Sequence, residues 1–196
     1  MTPLGFYSDG LEKAVVQDLK QWSSTVLEKP NANFNGLPAC PYAKQAWKLG
    51  KVAIIFKKEE SYQCLYSAIS RFDDNYDLAI IVDFSNEKAP EEFHKYWESL
   101  NVFISKGTFI DKDLWVMGFH PQDDPNEFLD MREFKPTVDC SYALIFVQRL
   151  SKLKKASESL RQKGYYRQYG EGFNVEDIFL LRDELYRSLK DGPKTA

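Results

Sequence analysis

The sequence predicts a mixed α/β (α+β) fold: a four-stranded mixed sheet covered by helices, in a ferredoxin-like or related sandwich. Three observations lead there. Four apolar runs, VAIIF at 52–56, DLAIIVDF at 77–84, DLWVMGF at 113–119 and YALIFVQ at 142–148, are strand-sized and rich in β-branched and aromatic residues. Segments with apolar residues at helical spacing separate and flank them. A sheet of such strands needs cover on at least one face, and these helices can supply it. A small doubly wound parallel sheet is the rival arrangement, since each early crossover is helical.

Residues 11–27 place Leu11, Val15, Leu19, Trp22 and Val26 near helical spacing, with Ser8 or Asp9 as the cap and the Lys29-Pro30 step as the stop. The Asn-rich NANFNG loop follows. A short helix is expected after Cys40, because Pro41 suits a first helical position and Gly50 an exit. Beyond the first strand, residues 59–72 carry Tyr62, Leu65, Tyr66 and Ile69 on a side to be buried. Beyond the second, Pro90 opens a helix through EEFHKYWESL, with Phe93, Tyr96, Trp97 and Leu100 at helical spacing. The third strand has Gly118 relaxing its far end, and a long polar stretch leads to the fourth. Two helices, LSKLKKASESLRQK and NVEDIFLLRDELYRSL, follow, separated by the Tyr/Gly-rich GYYRQYGEGF at 164–173. No repeat or long linker divides the chain, so one domain over 1–196 is expected.

The totals narrow the function classes. At 43% hydrophobic and 15% aromatic, the 196 residues can bury one sizeable core, and disorder is not expected. Twenty-six Lys and Arg against 29 Asp and Glu leave a net charge of -3, without the basic surplus that a nucleic-acid partner calls for. No run is long enough for a transmembrane helix, and the N-terminus lacks the pattern of a signal peptide. Cys40, Cys64 and Cys140 make neither a close dithiol pair nor an even-numbered framework, which points to a reducing cytoplasm. No dinucleotide fingerprint, Walker A loop, HExxH helix or GxSxG elbow is present. So aromatic a small chain suits a homodimer.

Two turns carry the candidate chemistry. In NGLPACPYA, at 35–43, Cys40 directly precedes Pro41; at a helix N-cap, free N–H groups would stabilise its thiolate and lower its pKa. In GFHPQDDPNEF, at 118–128, His120 leaves a strand end beside Asp123 and Asp124, either of which could orient its ring. Joined, Cys40 and His120 would make a thiolate–imidazole pair or two ligands of a transition metal. The opposing reading is structural: a packed cysteine and rigid proline turns. Arg132, in the polar stretch, and Arg149, at the exit of the last strand, are candidates to bind an anionic small molecule. Asp83, at the end of the second strand, either points into a pocket or caps its own turn. Cys64, Cys140 and His94 read as packing or surface.

Together these segments resemble an uncharacterised bacterial family of small domains of unknown function. NGLPACPYA resembles that family's Gly-Leu-x-x-Cys-Pro-Phe-Ala segment, with Tyr42 in place of the Phe. GFHPQDDPN resembles its Phe-His-Pro turn and a later Asp-Asp-Pro element, here drawn closer. FVQRLSKLKKA matches at Arg149, and the resemblance spans roughly residues 15–165, leaving a C-terminal helical extension. It implies a site at Cys40, His120, Asp123, Asp124, Arg149 and Arg132 without implying a reaction. The leading expectation is a cytoplasmic small-molecule enzyme with a Cys/His-centred pocket, with or without a transition metal. A non-catalytic protein-binding or assembly domain is the alternative, followed by a redox or metal sensor.

Overall fold

The computed structural model describes residues 10–167 and 175–191. Four strands, β1 (Val52–Lys57), β2 (Leu78–Asp83), β3 (Trp115–Phe119) and β4 (Ala143–Gln148), form one mixed sheet in the order β1-β2-β4-β3. Helices α1 (Gly10–Trp22), α2 (Ala43–Lys48), α3 (Gln63–Arg71), α4 (Pro90–Ser105), α5 (Leu150–Gln162) and α6 (Val175–Asp191) surround it. This is the mixed sheet under helices that the apolar runs imply. The doubly wound rival fails because β4 runs antiparallel to both of its neighbours; only β1 and β2 are a parallel pair.

Side chains alternate across each strand and divide the core in two. Ala53, Ala79, Ile81, Val116, Ala143, Ile145 and Val147 face α3 and α4, where they meet Leu65, Ile69, Phe93 and Ile104. Ile54, Ile80, Val82 and Phe146 face the opposite way, onto Val15 and Leu19 of α1. The inner strands are apolar at almost every position because both faces are covered. Gly118 has a sharper role than easing the strand end. A Cβ there would lie 2.3 Å from Trp97 Cδ1, so the missing side chain is what lets α4 press onto β3.

Several boundaries shift for local reasons. The first helix changes to a π-helical turn over Ser23–Leu27, closed by the Glu28 N–H donating to the Ser23 carbonyl at 2.9 Å. Its proposed caps, Ser8 and Asp9, lie outside the described residues, as do residues 168–173 of the Tyr/Gly-rich connection. The α3 helix starts at Gln63, whose N–H donates to Ser61 Oγ at 3.0 Å. The long polar stretch after β3 is tied down instead of being built into an element. Asp18, fully buried on α1, accepts from the Thr137 N–H, the Thr137 hydroxyl and the Val138 N–H at 2.7–3.0 Å. The C-terminal extension is part of the fold: Leu185 of α6 is buried with Trp115 and Leu150.

Candidate functional site

Cys40 does not cap a helix. Its N–H donates to the Leu27 carbonyl at 2.8 Å, and α2 begins only at Ala43, with Tyr42 at the cap position. The expected depression of its pKa is reversed. Burial pushes the thiol above its usual value and outweighs the opposing N–H groups of Tyr42 and Ala43. Cys40 belongs to the layer on the α1 side: it is tied to Leu27, in the turn that continues α1, and leads into α2, whose Trp47 packs in the same cluster as Val15 and Leu19 of α1.

His120 stands on the other side of the sheet, where its ring packs 5.7 Å from that of Phe93 on α4. It is buried, and both ring nitrogens are engaged: Nε2 lies 2.9 Å from the Lys88 carbonyl and Nδ1 accepts from the Gln122 N–H at 3.2 Å. That pair of partners suits the neutral ring with its proton on Nε2. Asp123 does not orient this ring. Its Oδ2 accepts from the His120 backbone N–H at 2.7 Å, while its Oδ1 lies 2.7 Å from His94 Nε2. Trp97 Nε1 donates to His94 Nδ1 at 3.0 Å, so His94, read as surface or packing, is the histidine the aspartate holds.

The remaining expected residues lie apart. Asp124 is exposed. Arg132 points into solvent and makes a bidentate pair with Asp130, at 2.8 and 2.6 Å. That pair holds the Asp130 carboxyl far below the usual range. Both line an open groove of about 930 Å³ between residues 25–33 and 127–133. Arg149 sits at the opposite end of the sheet from His120, over the Phe72 ring at 5.1 Å. Its Nη2 lies 3.1 Å from Asp74 Oδ1 without the alignment of a hydrogen bond, which makes the contact a bare ion pair. Among the described residues, no group of three or more His, Cys, Asp and Glu could hold a metal ion.

The structure assembles a different polar cluster. Strands β1 and β2 pair in a register that places Lys57 beside Asp83, the last residue of each. Both side chains face α3 and α4, and they form an ion pair at 2.7 Å with only 14% and 5% of their side chains exposed. Lys57 Nζ also donates to Ser85 Oγ at 2.9 Å. Ser85 donates its hydroxyl to Asp83 Oδ1 at 2.8 Å and its N–H to the same oxygen at 3.0 Å. Asp83 thus does both things considered for it, capping its turn and facing a pocket.

That pocket opens between the N-terminal ends of α3 and α4. Leu65, Ile81, Phe93 and Ile145 supply apolar walls; Tyr62, Tyr96, Lys88, Glu60, Ser61 and Asn86 complete its lining. The Tyr62 and Tyr96 rings lie 5.3 Å apart, and Lys88 pairs with Glu60 at 3.2 Å. Burial first, then the neighbouring Tyr62, Tyr66 and Asp83, pushes the Tyr96 phenol well above its ordinary value, so it stays a neutral O–H donor. His120 is adjacent through Phe93 and the Lys88 carbonyl, holding the β2–α4 loop in place. The residues missed from the sequence were Lys57, Ser85 and Tyr96. The available signal was a charged residue ending each of two successive apolar runs, VAIIF-K and LAIIV-D.

No protein-family model matches the chain, and no curated protein or solved structure does either.

Proposed function

We propose that this protein binds a small molecule in the pocket at the carboxyl ends of β1 and β2, with the Lys57–Asp83–Ser85 cluster as its polar head. The observation that carries the reading is the placement of that cluster. A buried carboxylate, with a half-buried lysine and hydroxyl beside it, faces a cavity that apolar and aromatic side chains help to bound. Convergent polar groups in a largely apolar hollow are the usual form of a ligand site, and the crevice outside the carboxyl ends of parallel strands is its usual place in α/β sheets. Chemistry centred on a Cys40–His120 pair lacks this support, because the thiol is held protonated and both imidazole nitrogens are engaged elsewhere. The three free cysteines suit a cytoplasmic setting. Among the described residues, no helix is long and apolar enough to cross a membrane.

A fragment screen by ligand-observed NMR, run on the native chain and on Lys57→Met, tests this reading. Fragments should bind the native chain, and the variant should lose a distinct subset of them. An empty screen, or one that Lys57→Met leaves unchanged, sinks it.

A second reading has one observation of its own. Tyr66 on α3, Phe103 on α4 and Ile110 beyond it are exposed large apolar side chains, which suits an assembly surface and a homodimer. Sedimentation of the native chain against Phe103→Asp would separate an associating chain from a monomer.

A further inference from the structure

The charges and unused hydrogen-bonding groups of the same pocket specify a ligand class, an inference that rests on the reading of that pocket as a ligand site. Two cations, Lys57 and Lys88, and two carboxylates, Asp83 and Glu60, line it, so their formal charges cancel in pairs. The helix ends supply the imbalance. Both α3 and α4 direct their N-termini toward this edge of the sheet, and each N-terminus carries a partial positive charge. Glu91 and Glu92 offset it in the first turn of α4, whereas the first turn of α3 has no acidic residue. The surplus is a fraction of one positive charge, which suits a monoanion. A dianion would bring a second negative charge up against the buried Asp83 carboxylate with nothing to balance it.

The donors agree. Lys57 spends two of its three N–H bonds on Asp83 and Ser85, leaving one. The Tyr96 hydroxyl has no hydrogen-bond partner among the described residues, and Tyr96 lines the cavity. These two donors fit the two oxygens of one carboxylate, and Lys88, with one bond to Glu60, adds a further cationic donor to the lining. Leu65, Ile81, Phe93 and Ile145 form the apolar part of the lining and reward a short hydrocarbon, while Ser61, Asn86 and the Lys88–Glu60 pair make up the polar remainder. The cavity volume is about 50 Å³. That is room for only a few water-sized groups, on the order of three to five.

We infer that the pocket binds a short-chain monocarboxylate, its carboxylate between Lys57 and Tyr96 and its alkyl group against Ile81 and Ile145. The test is a titration of the isotope-labelled chain, followed at the Ser85, Lys88 and Leu65 amides, with four probes: propionate, propionamide, n-propylamine and inorganic phosphate. Propionate and propionamide share a shape and differ in charge, and n-propylamine puts the opposite charge on a chain of the same carbon number. Propionate should bind at least about 10-fold more tightly than the amide or the amine, since its hydrogen bonds are charge-assisted. It should also bind more tightly than phosphate. Tyr96→Phe, which removes one hydroxyl and leaves the ring packing intact, should weaken propionate about 5- to 10-fold and leave propionamide less affected. Equal or tighter binding of the amide or amine at these amides overturns the carboxylate assignment while the ligand site stands. Tighter phosphate overturns the charge argument in the same way. No response to any of the four probes removes both the class and the site.

Discussion

Asp18 and Asp83 are both almost completely buried, and they stand on opposite faces of the sheet. Asp18 is surrounded by donors from a single distant stretch of chain, two backbone N–H groups and a hydroxyl, and no cation pairs with it among the described residues. Asp83 has one backbone N–H, one hydroxyl and the Lys57 ammonium, and a cavity opens beside it. The first arrangement makes a carboxylate a clamp: it substitutes for a missing hydrogen-bonded element by holding residues 137 and 138 against α1. The second leaves charge and donor capacity next to empty space, which is a condition for binding. A buried carboxylate alone does not distinguish them. The partners do, because groups saturated by backbone have nothing left to offer a ligand.

The contrast can be broken by mutation. Asp18→Ala should have the largest effect, a loss on the order of 3 kcal/mol, because it removes three charge-assisted hydrogen bonds that tie residues 137 and 138 to α1. Urea denaturation measures it, and a loss below about 1 kcal/mol would show that the loop does not depend on the clamp. Asp83→Asn should cost about 2 kcal/mol, less than breaking a fully buried ion pair, since the pocket gives Lys57 some access to water. Much of that cost should return in the Lys57→Met/Asp83→Asn double variant, which removes both charges. No such second change should rescue Asp18→Ala. Additive effects of Lys57→Met and Asp83→Asn would mean that the two side chains are not coupled and the cluster is misassigned.

The smallest effect concerns Cys40. Its folded pKa is raised, so the thiol ionises first in the unfolded chain as pH climbs. The stability it contributes is complete below the ordinary thiol pKa and is lost as pH rises through the raised folded value. Unfolding midpoints should therefore fall between neutral pH and about pH 10 by more in the native chain than in Cys40→Ala, a difference of about 1 kcal/mol or less. Alkylation near neutral pH should also reach the exposed Cys140 before Cys40. A Cys40 that reacts first would restore the activated thiolate.

Much of the architecture was legible because burial is written into composition. A strand covered on both faces is apolar at nearly every position, and LAIIV and ALIFV are that kind of run. Pro90 at the first position of α4 and the periodic Phe93, Trp97 and Leu100 were legible for the same reason. The site was less legible. His120 and Asp123 do share one turn, as their spacing implied, but the carboxylate found His94 on a neighbouring helix. Asp18 carried no signal in the sequence, since the stretch that covers it lies some 120 residues further on.

What the sequence determined by itself is the set of elements, a sheet under helices and the two polar turns, because local propensity and hydrophobic period are properties of short segments. Tertiary structure decided which polar groups meet. Lys57 and Asp83 became a pair only when β1 and β2 aligned in parallel with their last residues in register. Cys40, tied to the end of the α1 segment through Leu27, and His120, packed on Phe93 of α4, came apart because α1 and α4 cover different faces of the sheet. Strand order and register are settled by burying all the apolar faces at once, and no short segment carries that information.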